Sequence, residues 1–236
     1  MRASFSSSKL FPAGVLVHGI ELDTPSEATL LAFDGIGIPA SLEKAVLKRR
    51  VDFAAGRFAA RAAMRACVPE VAELAIPLGA DRAPIWPRGV TGSIAHTAGF
   101  AVAAVARTDA ASAIGIDVER WMRAGASDRV ADHITHGDEL DTLVRASEWG
   151  ENEALTLVFS AKESVYKCLY PEVQRWFGFH DARVEAIDEE AGAFVVRLLV
   201  PLTPSLPAGL RLHGRFERRP EVLMTGMARP HAHTGT

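Results

Sequence analysis

The sequence predicts an α+β fold, and two observations support this prediction. Apolar runs typical of strands and apolar residues at helical spacing both occur along the 236-residue chain. They are mixed without the regular strand–helix–strand alternation that characterises a parallel α/β sheet. With 48 % hydrophobic and 23 % charged residues, the chain is long and apolar enough for one large domain or two small ones.

The first third of the chain contains one predicted strand and one long predicted helix. Residues 14–20 (GVLVHGI) read as a strand. Residues 41–67 read as a helix that Ser41 caps. Four prolines within residues 68–90 predict loops and short strands there. Apolar residues recur at helical spacing along the long helix at Val46, Phe53, Ala60 and Met64.

The middle of the chain predicts a hairpin followed by a helix. Strands 100–106 and 113–118 flank a short polar turn, which is typical of a hairpin. The acidic stretch 138–153 reads as a solvated helix or loop. A further helix is expected from residue 161 to residue 169, ended by Pro171.

The end of the chain predicts two closing strands, at residues 193–200 and 208–217. We expect residues 229–236 to form a disordered tail. Both halves of the chain show a rough helix-then-strands order, with a seam near residues 110–120. This order suggests a structural duplication.

Composition and charge narrow the class of protein. The formal net charge of −3 gives no general attraction to nucleic acid or to an anionic membrane, so a phosphate site must be a local basic patch. Cys67 and Cys168 lack the spacing of a zinc site or a redox motif, and we expect buried thiols. Glycine, proline and histidine interrupt the apolar run at 10–20, so it does not predict a signal peptide. We therefore expect a cytoplasmic protein that has no membrane span.

The motif GIDVER at residues 115–120 contains two carboxylates, Asp117 and Glu119, at i and i+2. On a strand these side chains share one face. Two adjacent carboxylates repel each other unless a cation lies between them, and Mg²⁺ prefers such oxygen ligands together with substrate phosphates. The alternative is a strand end with two exposed acids, the second paired with Arg120.

The motif FSAKESVYKCLYP at residues 159–171 aligns Glu163 and Lys167 on one helix face. An ordinary structural interpretation exists, because Ser160 and Glu163 match a capping box and Glu163 with Lys167 forms a common i,i+4 pair. The functional interpretation adds a third carboxylate and an ammonium group to Asp117 and Glu119, which would complete a metal–phosphate site.

Residues 44–65 carry seven basic residues against one acid, Asp52, a local net charge of +6. Most such charges are a solvated helix face. Arg57 differs because it lies within the apolar stripe, where an arginine needs an anion or a carboxylate as a partner. A phosphate fits its planar guanidinium.

The segment GSIAHTAGF at residues 92–100 precedes a predicted strand and contains Ser93, His96 and Thr97. A hydroxyl, an imidazole and exposed backbone N–H groups can hold a phosphate or a base, and small residues let a ligand approach the backbone. A lone histidine is more often structural, so both interpretations stay open.

Four motifs in this order resemble one family. FAAGRFAAR, GSIAHTAG, GIDVE and FSAKESVYK resemble the siderophore-synthase (enterobactin-type) branch of the Sfp-like 4′-phosphopantetheinyl transferases, over roughly residues 40–185. The resemblance implies two similar α+β halves with the active site in the cleft between them. It implies an N-terminal half (1–115) that binds the nucleotide of coenzyme A, and a C-terminal half (116–228) with the metal and the catalytic helix.

The resemblance also implies the reaction and the site. The 4′-phosphopantetheine group of coenzyme A moves to a serine of an apo acyl or peptidyl carrier protein, releasing 3′,5′-ADP. Asp117, Glu119 and Glu163 would ligate Mg²⁺, Glu163 would help to deprotonate the serine, and Lys167 would bind phosphate. Coenzyme A would be held, besides Lys167, by Arg49, Arg57, Arg82, Ser93 and His96.

Two other functions use the same residues. A nuclease or phosphatase would use the carboxylates with water as the nucleophile, and a non-catalytic nucleic-acid-binding module would use the basic helix. The acidic net charge argues against the second. We expect a monomer whose partners are coenzyme A and a carrier protein, with no nucleic acid and no membrane. Helix 161–170, Trp176 and Phe177 are candidates for the carrier-binding surface, and they are equally suited to the core.

Overall fold

The computed structural model describes residues 3–79, 81–123, 125 and 127–230. The first half contains β1 (Ala3–Ser6), β2 (Val15–Glu21), α1 (Glu27–Leu31), α2 (Ala40–Glu43), α3 (Leu47–Cys67), β3 (Val90–Thr97) and β4 (Phe100–Arg107). The second half contains β5 (Ala113–Arg120), α4 (Ser127–Ile134), α5 (Glu139–Ala146), α6 (Glu151–Val173), β6 (Ala182–Asp188), β7 (Ala193–Leu198), β8 (Arg211–Arg218) and β9 (Val222–Arg229).

Each half pairs an antiparallel sheet with one long helix. The first sheet has the order β1-β2-β4-β3, and the second has the order β5-β9-β8-β7-β6. Small apolar residues of α3, such as Ala59 and Ala63, pack on Ala103 and Val105 of β4. Leu155 and the other buried apolar residues of α6 share a core with β6, β7 and β8. The α+β class and the two similar halves predicted from the sequence are confirmed.

The two halves meet where β3 and β5, each an edge strand of its own sheet, lie side by side. The backbone N–H of Ile116 donates to Ser93 Oγ at 3.1 Å across this seam. On its other side β5 lies directly against α6, because a Cβ on Gly115 would be 1.8 Å from the carbonyl oxygen of Ser164. β5 is therefore held between β9, β3 and α6, and its side chains have defined directions.

Two predictions for the first half of the chain are wrong. The long helix begins at Leu47 rather than at residue 41, and Ser41 lies in the short α2 without capping α3. The break falls at Val46, whose backbone is extended (ψ 147°) and whose side chain is 75 % exposed. The predicted hairpin does not form, since β4 pairs with β2 and β3 whereas β5 pairs with β9. The Ser112 N–H donates to Arg229 O of β9. This hydrogen bond places the start of β5 beside β9 in the second sheet.

The helix predicted at residues 161–169 is also longer than predicted. α6 begins at Glu151, where Glu153 accepts a hydrogen bond from the Gly150 N–H at 3.0 Å. Pro171 lies inside α6, which ends at Val173 before the left-handed Gln174 (φ 51°). The acidic stretch 138–153 therefore holds α5 and the first turn of α6, not one solvated segment.

The closing strands 193–200 and 208–217 are confirmed as β7 and β8, which pair with each other. β1, β3, β6 and β9 were not predicted. Arg229, predicted as the start of the tail, is the last residue of β9. The remainder of the predicted tail, residues 231–236, lies outside the described residues. Within the described part of the chain, no helix has the length and apolarity needed to cross a membrane.

Candidate active site

The strand β5 and the helix α6 bring the predicted acidic residues and Lys167 together. Asp117 is 3 % exposed. Its Oδ1 accepts a hydrogen bond from Lys167 Nζ at 2.6 Å and its Oδ2 accepts one from Ser160 Oγ at 2.8 Å. Arg120 instead pairs with Glu221. The interpretation of two exposed acids at a strand end, with Glu119 paired to Arg120, is therefore wrong.

Ser160 is a site residue whose role the sequence interpretation missed. It lies in the middle of α6, fully buried, and does not cap the helix. Its hydroxyl donates to Asp117, and Thr225 Oγ1 donates to its carbonyl oxygen at 2.8 Å. The signal was present, because Ser160, Glu163 and Lys167 follow the i, i+3, i+7 pattern of one helix face.

Glu119 and Glu163 lie in surroundings that are short of positive charge. Burial and the neighbouring Asp117 raise the pKa of Glu119 to about 8, although Lys167 and the Thr97 hydroxyl at 3.3 Å oppose this. Burial, with a smaller contribution from Asp117, also raises the pKa of Glu163. Two half-buried carboxylates with raised pKa values are a group that a divalent cation would ionise.

The donor set fits a hard cation that keeps other oxygen ligands. No group of three or more His, Cys, Asp or Glu side chains in the described ranges is arranged to hold a metal ion unaided. Mg²⁺ usually takes one or two carboxylates and completes its shell with water or phosphate oxygens. Asp117, Glu119 and Glu163 would supply one or two such carboxylates, and Asp117 Oδ1 would become free once Lys167 turns from it towards the substrate.

Lys167 is held between carboxylates. Burial alone would lower the pKa of Lys167, but Asp117 and Glu163 outweigh burial and raise it. Its Nζ lies 4.0 Å from Glu163 Oε2 as well as 2.6 Å from Asp117 Oδ1. The side chain is 26 % exposed, so this ammonium group stays charged and can also face a substrate.

Next to the carboxylates lies a basic cluster formed by α3 and β3. Arg49 Nη1 lies 3.4 Å from His96 Nε2, and His96 Nδ1 lies 3.9 Å from Asp52 Oδ2. Burial lowers the pKa of His96, and the charges of Arg49 and Lys167 lower it further against the opposing effect of Asp52. Thr97, which follows His96 on β3, donates to Glu119 Oε2 at 3.3 Å, so the basic cluster lies beside the carboxylates.

Arg57 is 8 % exposed and lacks a full set of partners. Its Nε donates to the Ile76 carbonyl oxygen at 2.7 Å, and its guanidinium lies 4.5 Å from the Phe53 ring centroid. Its Nη2 is buried and has no hydrogen-bond partner among the described residues. Burial, followed by the charge of Arg49, lowers the pKa of Arg57 to about 10. An anion entering the adjoining 510 Å³ cavity would satisfy this guanidinium.

Two predicted ligands of coenzyme A lie apart from this arginine. Ser93 is 5 % exposed and its hydroxyl accepts the Ile116 N–H. Arg82 occupies a turn with a positive φ of 69°. Both line a different cavity of about 520 Å³, which Lys167 also reaches. The sequence grouped them with Arg57 and His96, and the structure separates them.

A third cavity, of about 200 Å³, borders Glu163. Its wall contains Lys162, Tyr166 and the loop from Trp176 to Phe179. Trp176 is 77 % exposed, whereas Phe177 is 5 % exposed and belongs to the core of the second half. Of the two aromatic candidates for a carrier surface, only Trp176 is therefore accessible.

Comparison with known proteins identifies the family. Residues 39–106 match the 4′-phosphopantetheinyl transferase N-terminal domain, and residues 113–211 match the 4′-phosphopantetheinyl transferase superfamily. The chain is 32 % identical over 214 residues to 4′-phosphopantetheinyl transferase PptT of Mycobacterium tuberculosis, covering 86 % of this chain and 84 % of that protein. It is 37 % identical over 212 residues to 4′-phosphopantetheinyl transferase Svp of Streptomyces mobaraensis, covering 89 % and 82 %. Enterobactin synthase component D of Escherichia coli K12 is 35 % identical over 178 residues, covering 73 % and 78 %.

The fold and the site therefore define a phosphopantetheinyl-transferring enzyme, and the chain belongs to the 4′-phosphopantetheinyl transferase superfamily. Its function is the transfer of the 4′-phosphopantetheine group of coenzyme A to a serine of an apo carrier protein. The resemblance expected from the four sequence motifs is confirmed.

Proposed function

We propose that Asp117, Glu119 and Glu163 bind Mg²⁺ together with the pyrophosphate of coenzyme A, beside Lys167. The observation that supports this proposal is the gathering of three buried or half-buried carboxylates around one ammonium group. When bound, Mg²⁺ supplies charge neutralisation for the phosphate oxygens and for the carboxylates themselves. The serine-accepting reaction distinguishes this site from that of a nuclease or phosphatase, in which water would be the nucleophile.

Lys167 stabilises the leaving group in this proposal. Its ammonium moves from Asp117 to a phosphate oxygen and donates hydrogen bonds to the charge that develops on departing 3′,5′-ADP. Ser160 and Thr225 keep Asp117 oriented while this happens, because the Ser160 hydroxyl donates to the other Asp117 oxygen. The side chain of Lys167 can make this movement, since it is 26 % exposed.

Glu163 is the proposed base. Burial raises the pKa of Glu163, so its carboxylate holds a proton more firmly than an exposed glutamate does. It accepts the proton from the hydroxyl of the carrier serine. The serine oxygen then forms a bond to the β-phosphorus of coenzyme A while the bond from that phosphorus to the bridging oxygen breaks. The electron pair leaves with 3′,5′-ADP.

The nucleotide end of coenzyme A is held by the basic cluster. Arg57 offers a buried guanidinium nitrogen without a partner, and Arg49 with His96 lies nearer the carboxylates. We assign Arg57 to the 3′-phosphate, whose charge and oxygen geometry suit a guanidinium. We leave Ser93 and Arg82 out of this cluster, because the Ser93 hydroxyl accepts the Ile116 N–H at the seam and both residues line another cavity.

The pantetheine arm occupies the cavity beside Glu163 in this proposal. Tyr166, Phe177 and Phe179 give this cavity an aromatic wall, which suits the methyl and amide groups of a narrow chain. The exposed Trp176 at the same cavity is the proposed contact for the carrier protein. An aromatic side chain that is exposed in the free protein and buried in the complex often contributes much of the binding energy.

Transfer is tested with coenzyme A, an apo acyl or peptidyl carrier protein and titrated Mg²⁺, with mass spectrometry of the carrier. We expect a phosphopantetheine adduct that disappears on chelation and returns with Mg²⁺. Asp117→Ala should lower turnover by about 10²-fold or more, because it removes a ligand and frees Lys167. Full activity of Asp117→Ala at limiting Mg²⁺ would refute the metal site.

Arg57 is tested with two ligands, coenzyme A and dephospho-coenzyme A. Arg57→Ala should weaken the binding of coenzyme A by about 1.5–3 kcal/mol, the usual effect of losing a charge-assisted hydrogen bond. The binding of dephospho-coenzyme A should change little. Calorimetry that gives equal losses for both ligands would remove Arg57 from the 3′-phosphate site. Arg197→Ala, a change in the β6–β7 pair with Glu185, is the control.

The relatives and the cysteines suggest a class of carrier protein and a cellular compartment. The relatives include a component of enterobactin synthase, and we propose a carrier of siderophore, polyketide or nonribosomal peptide biosynthesis. Cys67 and Cys168 are free thiols, which supports a reducing cytoplasm. We propose that the enzyme acts as a monomer, because its site is assembled from the two halves of one chain.

A further inference from the structure

Lys162, the residue before Glu163, is buried and fully hydrogen-bonded. Its side chain is 2 % exposed. Its Nζ donates to Ile134 O at 2.8 Å, to Glu139 Oε2 at 2.8 Å and to Phe179 O at 3.0 Å. An ammonium group has three N–H donors, so all of them are used. Although Lys162 borders the cavity beside Glu163, it has no donor left for a phosphate.

Glu139, the partner of Lys162, is equally enclosed. Its side chain is 0 % exposed. Oε1 accepts the Val184 N–H at 2.5 Å, and Oε2 accepts the His136 N–H at 2.8 Å in addition to Lys162. The pair thus connects α6 to the end of α4, to the start of α5 and to the start of β6. Apart from the ion pair itself, all of these contacts are to backbone atoms, so the pair sets main-chain positions.

Stability alone is a poor explanation for this ion pair. The free-energy cost of removing two charges from water often equals or exceeds their attraction. Proteins in which apolar side chains of similar volume replace a buried ion pair are therefore often as stable as the original. The geometric effect is more specific. Lys162 holds the carbonyl of Phe179, a residue that lines the cavity beside Glu163. Lys162 also fixes the rotation of α6 at the turn that carries Glu163.

We propose that Lys162 and Glu139 are positioning residues for the transfer reaction. Together they hold the carboxylate of Glu163 and the wall of the neighbouring cavity in the arrangement that transfer requires. Neither residue contacts coenzyme A in this proposal. It rests on the function proposed above, in which Glu163 acts on the carrier serine and the pantetheine arm occupies that cavity.

Glu139→Gln is the main test, because Glu139 lines neither this cavity nor the basic cluster. The substitution keeps the shape and leaves an oxygen for Val184, but it places an amide nitrogen against other donors. We expect kcat to fall about 10-fold or more, since misplacement of a catalytic group by a fraction of an ångström has effects of that size. The Kd of coenzyme A should stay within about threefold of the wild-type value.

The double variant Glu139→Gln with Lys162→Met removes both charges and separates positioning from substrate binding. We expect an intermediate kcat, about threefold below wild type, because no buried charge is stranded but the backbone contacts of Lys162 are lost. The Kd of coenzyme A should again be unchanged. Arg197→Met, which breaks the half-exposed Arg197–Glu185 pair, is the matched control and should keep wild-type kcat.

Three measurements distinguish the outcomes. Calorimetry gives the Kd of coenzyme A, circular dichroism shows whether each variant is folded, and the rate of carrier modification gives kcat. Wild-type kcat in folded Glu139→Gln overturns the proposal and leaves an ordinary structural anchor. A 10-fold or greater rise in Kd for the double variant also overturns it, because Lys162 would then bind substrate. If Glu139→Gln does not fold, the double variant decides: lowered kcat supports positioning and wild-type kcat refutes it. Absence of transfer by the wild-type chain would refute the proposed function instead.

Discussion

Asp117 and Glu119 lie two residues apart on β5 and have different surroundings. Asp117 accepts hydrogen bonds from a lysine and a serine. Glu119 has one threonine hydroxyl at 3.3 Å, and its pKa is raised to about 8 by burial and then by Asp117. A difference of this kind within one acidic motif is typical of functional sites, where burial and like charges perturb specific groups.

Glu163 can be tested without changing its shape. Glu163→Gln removes the charge that a base or a metal ligand needs, and turnover should fall by about 10²-fold or more, the usual contribution of a general base. Thermal stability should change little. Glu153→Gln, on the same helix beside Arg218, is the isosteric control and should keep full turnover. Normal carrier modification by Glu163→Gln would leave this residue a structural role only.

The raised pKa of Glu119 should make the stability of the metal-free protein depend on pH. Its pKa in the folded protein, about 8, exceeds its usual value of 4.5. Between these pH values the folded protein holds a proton that the unfolded chain releases, so the free energy of unfolding falls as the pH rises through this window. If Mg²⁺ binds Glu119 as proposed, it would displace that proton, and its stabilising effect should increase over the same window and level off above it.

Thermal melts between pH 5 and pH 9, with chelator and with Mg²⁺, measure this dependence. The two curves should diverge as the pH rises, and in Glu119→Gln the divergence should shrink. Parallel curves for the wild-type protein would contradict the assignment of Glu119 as a buried, proton-holding ligand.

At the scale of elements, the site depends on the close contact between β5 and α6. A Cβ on Gly115 would lie 1.8 Å from Ser164 O and 2.8 Å from Cys168 N, both of them backbone atoms of α6. These atoms cannot yield as a flexible side chain would. Only glycine lets the strand with Asp117 lie against the helix that carries Glu163 and Lys167.

Gly115→Ala should therefore lower the free energy of unfolding by about 1–3 kcal/mol or more, the usual cost of overpacking. It should also reduce turnover, because α6 must shift relative to Asp117. Denaturant unfolding and the carrier assay measure both effects. Gly37→Ala is the control for stability, since its Cβ would meet no atom within 4 Å. Unchanged stability of Gly115→Ala would show that β5 and α6 separate easily.

Sequence patterns predicted the site better than they predicted the boundaries of the elements. The i, i+2 spacing on a strand and the i, i+4 spacing on a helix fix which side chains share a face, and Asp117, Glu119, Glu163 and Lys167 do lie together. The start of α6 was missed because its first turn is acidic and because Ser160 matches a capping box. The hydroxyl of Ser160 instead contacts Asp117, and this contact is a tertiary one that local spacing does not reveal.

The failed hairpin prediction and the different contacts of Ser93 and His96 have the same physical origin. Adjacent strands usually pair, so β4 and β5 predicted a hairpin, but β5 joins the other sheet. Ser93 was grouped with His96 although the two are three residues apart on β3. Alternation along a strand sends them to opposite faces, so Ser93 meets β5 whereas His96 meets Arg49 of α3.

At the scale of the whole molecule, the two halves contribute different chemistry. The basic cluster comes from α3 and β3 of the first half, and the carboxylates come from β5 and α6 of the second. The exact division at residues 115 and 116 stays a prediction. Because the proposed site draws on both halves, the hydrogen bonds between β3 and β5 would determine the relative position of its groups.

Ser93 provides the test at this scale, because two roles for it predict opposite results. If its hydroxyl holds the seam, Ser93→Ala leaves the buried Ile116 N–H without a partner and lowers the free energy of unfolding by about 1–3 kcal/mol. The Kd of coenzyme A should then change little. Ser8→Ala, at an exposed position, is the control and should stay within about 0.5 kcal/mol of wild type. A variant of unchanged stability that binds coenzyme A 10-fold more weakly would return Ser93 to the ligand site. Such a result would also mean that contacts other than this hydrogen bond hold the two halves in register.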